Sequence, residues 1–399
     1  MPHSATLQAH PYKQEDRYEV KIGDSILDSY TIRKEIGSGK CSTVYLAWDI
    51  KHEKYVALKI NRRERRYEMA AMREIRTIVA LNRRSGGVCK GIPEILAWFN
   101  IDGYVFEVIP FMDKNLFEIL LQNKFNPFDI ETLRTMVRQI LSVLGRMHKS
   151  GIVHTDIKPE NIMFMPSTTE KSDDINVLPE QVPDFNSLCL IDFGSVSSST
   201  VPRRGLITTR TYRAPEVILD LHWSFPSDMW SLGCMLYELA TGHPIFKTHQ
   251  HFFGNREHLA MIEKLLGPIP QEMYSQLADQ IRMMYKADGY ILWPPPVTME
   301  TEEEKQPGGW GHHDVSWSSR SRAVKAVKQS PTDIASSLPE PDDDFVDFLT
   351  SLLKLRPEDR LTVDEAIKHP FVTKKGTLPA INIDIVVLNE GQDNIDAME

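Results

Sequence analysis

The run HTDIKPENI at residues 154–162 sets an aspartate, a lysine and an asparagine close together. Asp156 can accept or orient a hydroxyl proton, and Asn161, five residues on, can offer an amide oxygen to Mg²⁺. Lys158 between them can neutralise charge on a phosphoryl group in transfer. Downstream, IDFG adds Asp192 as a second metal-binding group, a carboxylate. Upstream, Lys59 closes V-A-L-K, where a strand lysine can hold the α- and β-phosphates of ATP if a helix glutamate braces it. Glu74 in MREIRTI is the preferred brace because it continues into an apolar stripe; Glu68 is the runner-up and reads as a surface residue. Singly, these residues have plain explanations. A strand lysine is usually a solvated edge charge, and His154 reads best as a buried, hydrogen-bonded structural histidine. In order and together they are the donor set of phosphoryl transfer.

A phosphate also needs a cradle, and IGSGKCSTVYLAWD at 36–49 offers one. It is not a Walker loop: the first glycine would fall at Lys34, and Cys41 stands where Ser or Thr is required. It is not a dinucleotide fingerprint either, because Ser42 takes the third glycine's place and a strand follows instead of a helix. What remains is a glycine-rich hairpin between antiparallel strands, covering the phosphates with backbone amides at Ile36, Gly37, Ser38 and Gly39. Taken alone, the stretch would suit a tight turn with no ligand equally well. Cys41 at its tip is expected to be a thiol beside the nucleotide.

The elements that must position these groups follow from periodicity. YTIRKEI, TVYLAWDI and KYVALKI alternate and are rich in β-branched and aromatic residues, as a strand meander requires. RRYEMAAMREIRTIVALN repeats Met69, Met72, Ile75, Ile78 and Val79 at helical spacing, and YVFEVIPF reads as a strand ending at Pro110. Beyond it, IETLRTMVRQILSVLGRMHKSG carries a stripe through Leu133, Val137, Ile140, Leu141 and Leu144 and stops at Gly151. SDMWSLGCMLYELATG, ending at Gly242, and then REHLAMIEKLLG and DDFVDFLTSLLKL are further helices. The expected class is α+β: a small β-rich lobe over about 30–109 and a larger, mainly helical lobe over about 110–373. Residues 1–29 read as a polar extended arm, 166–187 and 294–341 as surface insertions, and 374–399 as an acidic tail.

A chain of 399 residues with 41% hydrophobic and 25% charged residues can bury a generous core. Its formal net charge of −9 disfavours non-specific nucleic-acid binding and suits a basic partner. Cys41, Cys89, Cys189 and Cys234 are too widely spaced for a disulfide framework or a zinc site, which suits a reducing compartment, nucleus or cytoplasm. The polar N-terminus carries no secretory signal, and no apolar run is long enough to span a bilayer.

From about 30 to 373 the sequence resembles a eukaryotic protein kinase of the CMGC group. TTRTYRAPEVIL has Arg213 just before Ala214-Pro215-Glu216, as that group does, and EHLAMIEKLLG looks like the signature helix of the LAMMER, or Clk, kinases. H-T-D and the long insertion between Asn161 and Asp192 also resemble that family, while YEVKIGDSI and STVYLAWD are similar to the SR-protein kinases. The resemblance implies a bilobal kinase fold, ATP and Mg²⁺ as cofactors, and phosphorylation of Arg/Ser-rich substrates by a monomer. It implies that Val44 and Ala57 help bind the cofactor, with Phe106 as gatekeeper and Glu107 and Val108 at the adenine edge; the plainer reading, that Phe106 is simply core, is compatible with this. Asn161 and Asp192 would hold metal, Asp228 would brace the catalytic loop, Arg360 would pair with Glu216, and Tyr212 would pack. Thr155 cannot pair with a phosphorylated activation loop as the arginine of H-R-D does, so activity without that modification is expected. SSRSR at 318–322 resembles a short substrate, although a solvated insertion is the simpler reading. The alternatives are an SR-protein kinase proper, another CMGC kinase, or a pseudokinase scaffold; the last is disfavoured because Lys59, Glu74, Asp156, Asn161 and Asp192 are all present.

Overall fold

The structure is a computed structural model that describes residues 17–112, 114–165, 185–199, 203–248, 254–286, 289–294 and 317–374. It divides into two units: the chain up to residue 113 together with Asp192–Gly194, and a second unit holding Lys114–Ile191 and the chain from Ser195.

The first unit is built on one six-stranded sheet. Its strands are β1 (Ser25–Ile26), β2 (Tyr30–Ser38), β3 (Ser42–Asp49), β4 (Lys54–Asn61), β5 (Ala97–Ile101) and β6 (Tyr104–Pro110), in the order β1-β2-β3-β4-β6-β5. All neighbours are antiparallel. β5 and β6 are joined by Asp102 and Gly103, both at positive φ (50° and 86°), the geometry that lets a two-residue turn match the strand twist. Alternation sends Ile32, Val56, Leu58, Ile60, Phe106 and Val108 into one core. Val105 points to the other face, where it meets Ala71 and Ile75 of helix α1 (Arg65–Arg84).

Two expectations change here. The buried stripe of α1 runs through Tyr67, Ala71, Glu74, Ile75, Thr77, Ile78 and Leu81, whereas Met69 and Val79 are 54% and 47% exposed. The stripe is thus rotated toward residues that fit a crowded sheet face. The arm is not free over residues 17–29 either. Ser25 and Ile26 pair with Thr31 and Tyr30, and the Tyr18 ring meets Tyr104 and Phe106 edge-on at 5.2 and 5.0 Å.

The second unit is mainly helical. Asn115 caps α2 (Leu116–Gln122) in a reciprocal box with Glu118, and Asp129 caps α3 (Ile130–Lys149) by accepting the Thr132 N–H at 2.9 Å. Leu133, Val137, Ile140, Leu141 and Leu144 of α3 are buried, as their spacing requires. The helix Phe225–Thr241 stops at Gly242, which has φ +76°; a Cβ there would lie 1.8 Å from the Phe125 carbonyl oxygen. Among the described residues no helix is long and apolar enough to cross a membrane.

Of the two expected insertions, residues 166–184 and 295–316 lie outside the described residues, as does the tail from 375. The described part of the second insertion from 317 on holds two helices, Trp317–Gln329 and the short Ile334–Ser337. Lys264, in the last turn of the signature helix Gly254–Leu266, donates to the carbonyls of Val327, Lys328 and Ser330 at 3.0, 2.8 and 2.6 Å. A cation on the last carbonyls of a helix satisfies orphan acceptors and complements the helix dipole. SSRSR falls inside the helix Trp317–Gln329, so it is not an extended substrate-like segment.

Candidate active site

In the first unit, β4 presents Lys59 and α1 presents Glu74, and their side chains meet at 2.6 Å with both groups nearly buried. Burial would lower the lysine's pKa, but the charges of Glu74, Glu107 and Asp192 more than offset it and hold the ammonium above its ordinary range. Arg73, one residue before Glu74, donates to the Gly194 carbonyl at 2.9 Å. Asp192 takes a left-handed backbone, φ +65°, a conformation that costs a non-glycine residue about 1–3 kcal/mol and is kept where surroundings over-determine it. A Cβ at Gly194 would touch Glu74 Oε2 and Asp192 Oδ1 at 3.4 and 3.5 Å, so its glycine lets the segment lie close to both carboxylates. Glu68 is exposed, as expected of a surface residue.

The register of β3, β4 and β6 decides which side chains share Lys59's face. Val44 lies opposite Lys59, Ala57 opposite Ile109, and Lys59 opposite Glu107. Phe106 lies opposite Ile60 and turns the other way, stacked on Phe99 with ring centroids 4.9 Å apart. Val108 shares that core. The gatekeeper assignment of Phe106, and the adenine-edge assignment of Glu107 and Val108, are therefore corrected. Ile109, opposite Ala57, is the β6 residue that follows Glu107 on the Lys59 face. Glu107 instead stands on the inner wall, where Asn61 Nδ2 donates to it at 2.6 Å. Burial, more than the opposing charge of Lys59, pushes its pKa above the usual carboxylate range. The error has a physical origin: a strand's inner and outer faces differ by one residue, and VFEV reads as a strand in either register.

The hairpin between β2 and β3 holds Ile36, Gly37, Ser38 and Gly39 as expected, with Gly39 N–H donating to the Ser42 carbonyl at 2.9 Å. Register irregularities between Ile32 and Lys34 and between Glu35 and Gly37 bend β2 as it enters the hairpin.

In the second unit the catalytic loop is fully wired. Asp156 Oδ2 accepts from Lys158 Nζ at 2.6 Å and from Asn161 Nδ2 at 3.3 Å. Its Oδ1 accepts from the Thr209 N–H and hydroxyl at 3.0 and 2.9 Å. Burial alone would raise this carboxyl, but the Lys158 charge and the Thr209 hydrogen bonds outweigh it and hold the pKa below the ordinary value. A carboxylate held below its ordinary pKa is the weaker base for it and is suited to orienting a hydroxyl, as a loose phosphoryl-transfer transition state allows. Asn161 Nδ2 also donates to the Asp156 carbonyl at 2.8 Å, so the amide nitrogen is committed to the loop. Thr209 was missed from sequence; it sits in TTRTYR, where it reads only as part of a polar run.

The supports are buried. His154 is inaccessible, its Nε2 3.1 Å from the Ile191 carbonyl, confirming a structural part. Asp228 accepts the N–H groups of His154 and Thr155 at 2.8 and 2.9 Å. Arg360 grips Glu216 with two bonds of 2.7 and 2.6 Å. Tyr212 is buried and its hydroxyl donates to Glu238 at 2.5 Å. Thr155 Oγ1 donates to the Ser195 carbonyl at 3.0 Å, a neutral tie that needs no phosphate.

The sequence matches the family described as Protein kinase domain over residues 30–372. The chain belongs to the protein kinases, in the LAMMER/Clk family. The serine/threonine-protein kinase AFC2 of Arabidopsis thaliana is 31% identical over 92% of this chain and 82% of its own length. The dual specificity protein kinase CLK4 of Homo sapiens is 31% identical over 88% of this chain and 67% of its own. A crystal structure of a kinase domain superposes with a TM-score of 0.73 at 27% identity, over 90% of this chain and 100% of that one. This kinase transfers the γ-phosphoryl group of ATP to protein hydroxyls.

Two outcomes follow from the loop's wiring. Removing the Lys158 charge raises the Asp156 pKa, so Lys158→Ala moves the acid limb of the kcat/KM profile upward by about one pH unit; an unmoved limb would show that Lys158 does not set it. Because Thr155 ties the loop through Ser195 without charge, phosphatase treatment leaves most activity in a peptide assay, and near-complete loss would contradict that role.

Proposed function

We propose that this kinase uses Mg²⁺ with ATP to phosphorylate serines in Arg/Ser-rich proteins, as a monomer of the nucleus or cytoplasm. Hard oxygen donors suit Mg²⁺, which is usually held by one or two protein groups plus substrate phosphates. The resemblance of HTDIKPENI and IDFG to kinase motifs gives that part to the Asn161 amide oxygen and the Asp192 carboxylate. When bound, the ion would neutralise charge on the transferring phosphates. Nucleotide phosphates and water would complete the ion's shell.

The observation that carries the substrate class is a pair of carboxylates beside the catalytic loop. Glu160 follows Lys158 by two residues, and its Oε2 is buried without a hydrogen-bond partner among the described residues. Glu238 lies near enough to feel its charge; burial first, and Glu160 second, push the Glu238 carboxyl up to about 7 against the Tyr212 hydrogen bond. A guanidinium is the side chain best shaped to bridge two such acids. The formal charge of −9 adds long-range attraction for a basic substrate. The name of the human relative also motivates testing the product for phosphotyrosine.

Phosphorylation of a peptide array by the purified kinase tests the reading, with Arg-Ser peptides expected to lead and an obligatory proline or acidic context contradicting it. Glu160→Gln with Glu238→Gln raises KM for an Arg-Ser peptide about tenfold, as expected for a lost charge-assisted contact, and leaves KM for ATP unchanged. Since Glu238 takes up a proton as pH falls through about 7, the wild-type peptide KM rises below that pH.

A further inference from the structure

Arg17 lies before the kinase domain match, which begins at residue 30, yet it reaches the phosphate-covering hairpin. Its Nη1 donates to the hydroxyls of Ser38 and of Thr43, the latter at 2.8 Å, and its Nη2 donates to the Gly39 carbonyl at 3.0 Å. One guanidinium thus spans both arms of the hairpin and its tip. Thr43 lies opposite Ile60, on the Phe106 side of the sheet, whereas Val44 lies opposite Lys59. Arg17 therefore grips the hairpin from the face away from Lys59 and does not occupy the nucleotide's side.

The arm is built to present this side chain. Tyr18, the next residue, wedges edge-on against Tyr104 and Phe106. Further along, the Gly23 N–H donates to the Ile32 carbonyl and the Ile32 N–H to the Asp24 carbonyl, both at 2.9 Å, before β1 joins the sheet. These anchors fix the backbone on either side of the side chain's base, and the planar fork loses less rotamer freedom per hydrogen bond than a lysine would. The hairpin has few other ties at its tip: Gly39 N–H to the Ser42 carbonyl, and Arg62 N–H to the Cys41 carbonyl, both 2.9 Å.

We propose that Arg17 is a positioning residue that clips the phosphate-covering hairpin to the N-terminal arm, so that nucleotide affinity depends on a segment outside the kinase domain. Backbone amides can stabilise phosphate only where they are held, and a hairpin freed from its clip spends part of its time open. The clip would also let anything that pulls the arm away lower the affinity for ATP without touching the catalytic loop.

Cys41 at the hairpin tip gives a reporter independent of turnover. It is exposed, while Cys89, Cys189 and Cys234 are buried. Burial, with Asp192 second, raises its thiol pKa, so alkylation is compared at one fixed pH. In the ATP-free protein, N-ethylmaleimide is expected to label Cys41 several-fold faster in Arg17→Ala than in wild type. In the same variant KM for ATP rises about five- to tenfold, the scale of a lost charged hydrogen-bond set on an open surface, with KM for the peptide unchanged. Arg17→Lys, which keeps the charge but not the fork, recovers part of both effects. A melting temperature within about 2 °C of wild type separates this outcome from general loosening of the lobe. The proposal is overturned if Arg17→Ala leaves both the Cys41 rate and KM for ATP at wild-type values, if KM for ATP falls, or if ATP and peptide KM rise together.

Discussion

The catalytic loop depends on one buried carboxylate. Asp228 is 1% exposed in the first turn of the helix Phe225–Thr241, where the helix N-terminus favours negative charge. Its two oxygens accept the N–H groups of His154 and Thr155, and one also meets His148 Nε2 at 3.0 Å. Thr155 needs such help: its φ of +72° is unfavourable for a β-branched residue. With that turn fixed, the Asp156 side chain can only project where Lys158, Asn161 and Thr209 receive it. Catalysis by positioning tolerates little slack, since about 1 Å of displacement can cost on the order of a hundredfold in rate.

The same device recurs at the other supports. Glu216 meets Arg360 with both side chains essentially inaccessible, and Glu74 meets Lys59 with little exposure. Buried ion pairs add modest net stability, yet removing one partner costs about 3–5 kcal/mol because the other charge is stranded. Such pairs thus act as registration pins. The wall around Lys59 goes further, with three carboxylates (Glu74, Glu107 and Asp192) acting on one ammonium, which keeps the lysine charged throughout the working pH range.

How much of this was legible in sequence depended on the kind of information. Asp156, Lys158, Asn161 and Asp192 are defined by short spacings along the chain, and the fold brings the first three together as those spacings imply. Lys59 and Glu74 were found because a strand lysine and a helix glutamate each carry their own periodic signal. Phe106, Glu107 and Val108 were misplaced because the inner face of β6 is set by its pairing with β4, some fifty residues away, and not by its own alternation. Met69 and Val79 fit a 3.6-residue period, but the sheet's shape chose Tyr67 and Leu81 instead. Arg17 could not be read at all: its contacts lie 21 to 26 residues away on a hairpin whose position only the folded sheet defines.

The central claim is that Asp228 fixes the loop that places Asp156, and single-turnover phosphoryl transfer by Asp228→Asn tests it most directly. The amide keeps the shape but replaces one acceptor with an N–H donor facing a backbone N–H. The account predicts a folded protein with nearly unchanged ATP affinity and a transfer rate lower by about a hundredfold or more. A folded variant that transfers phosphate at the wild-type rate would contradict it.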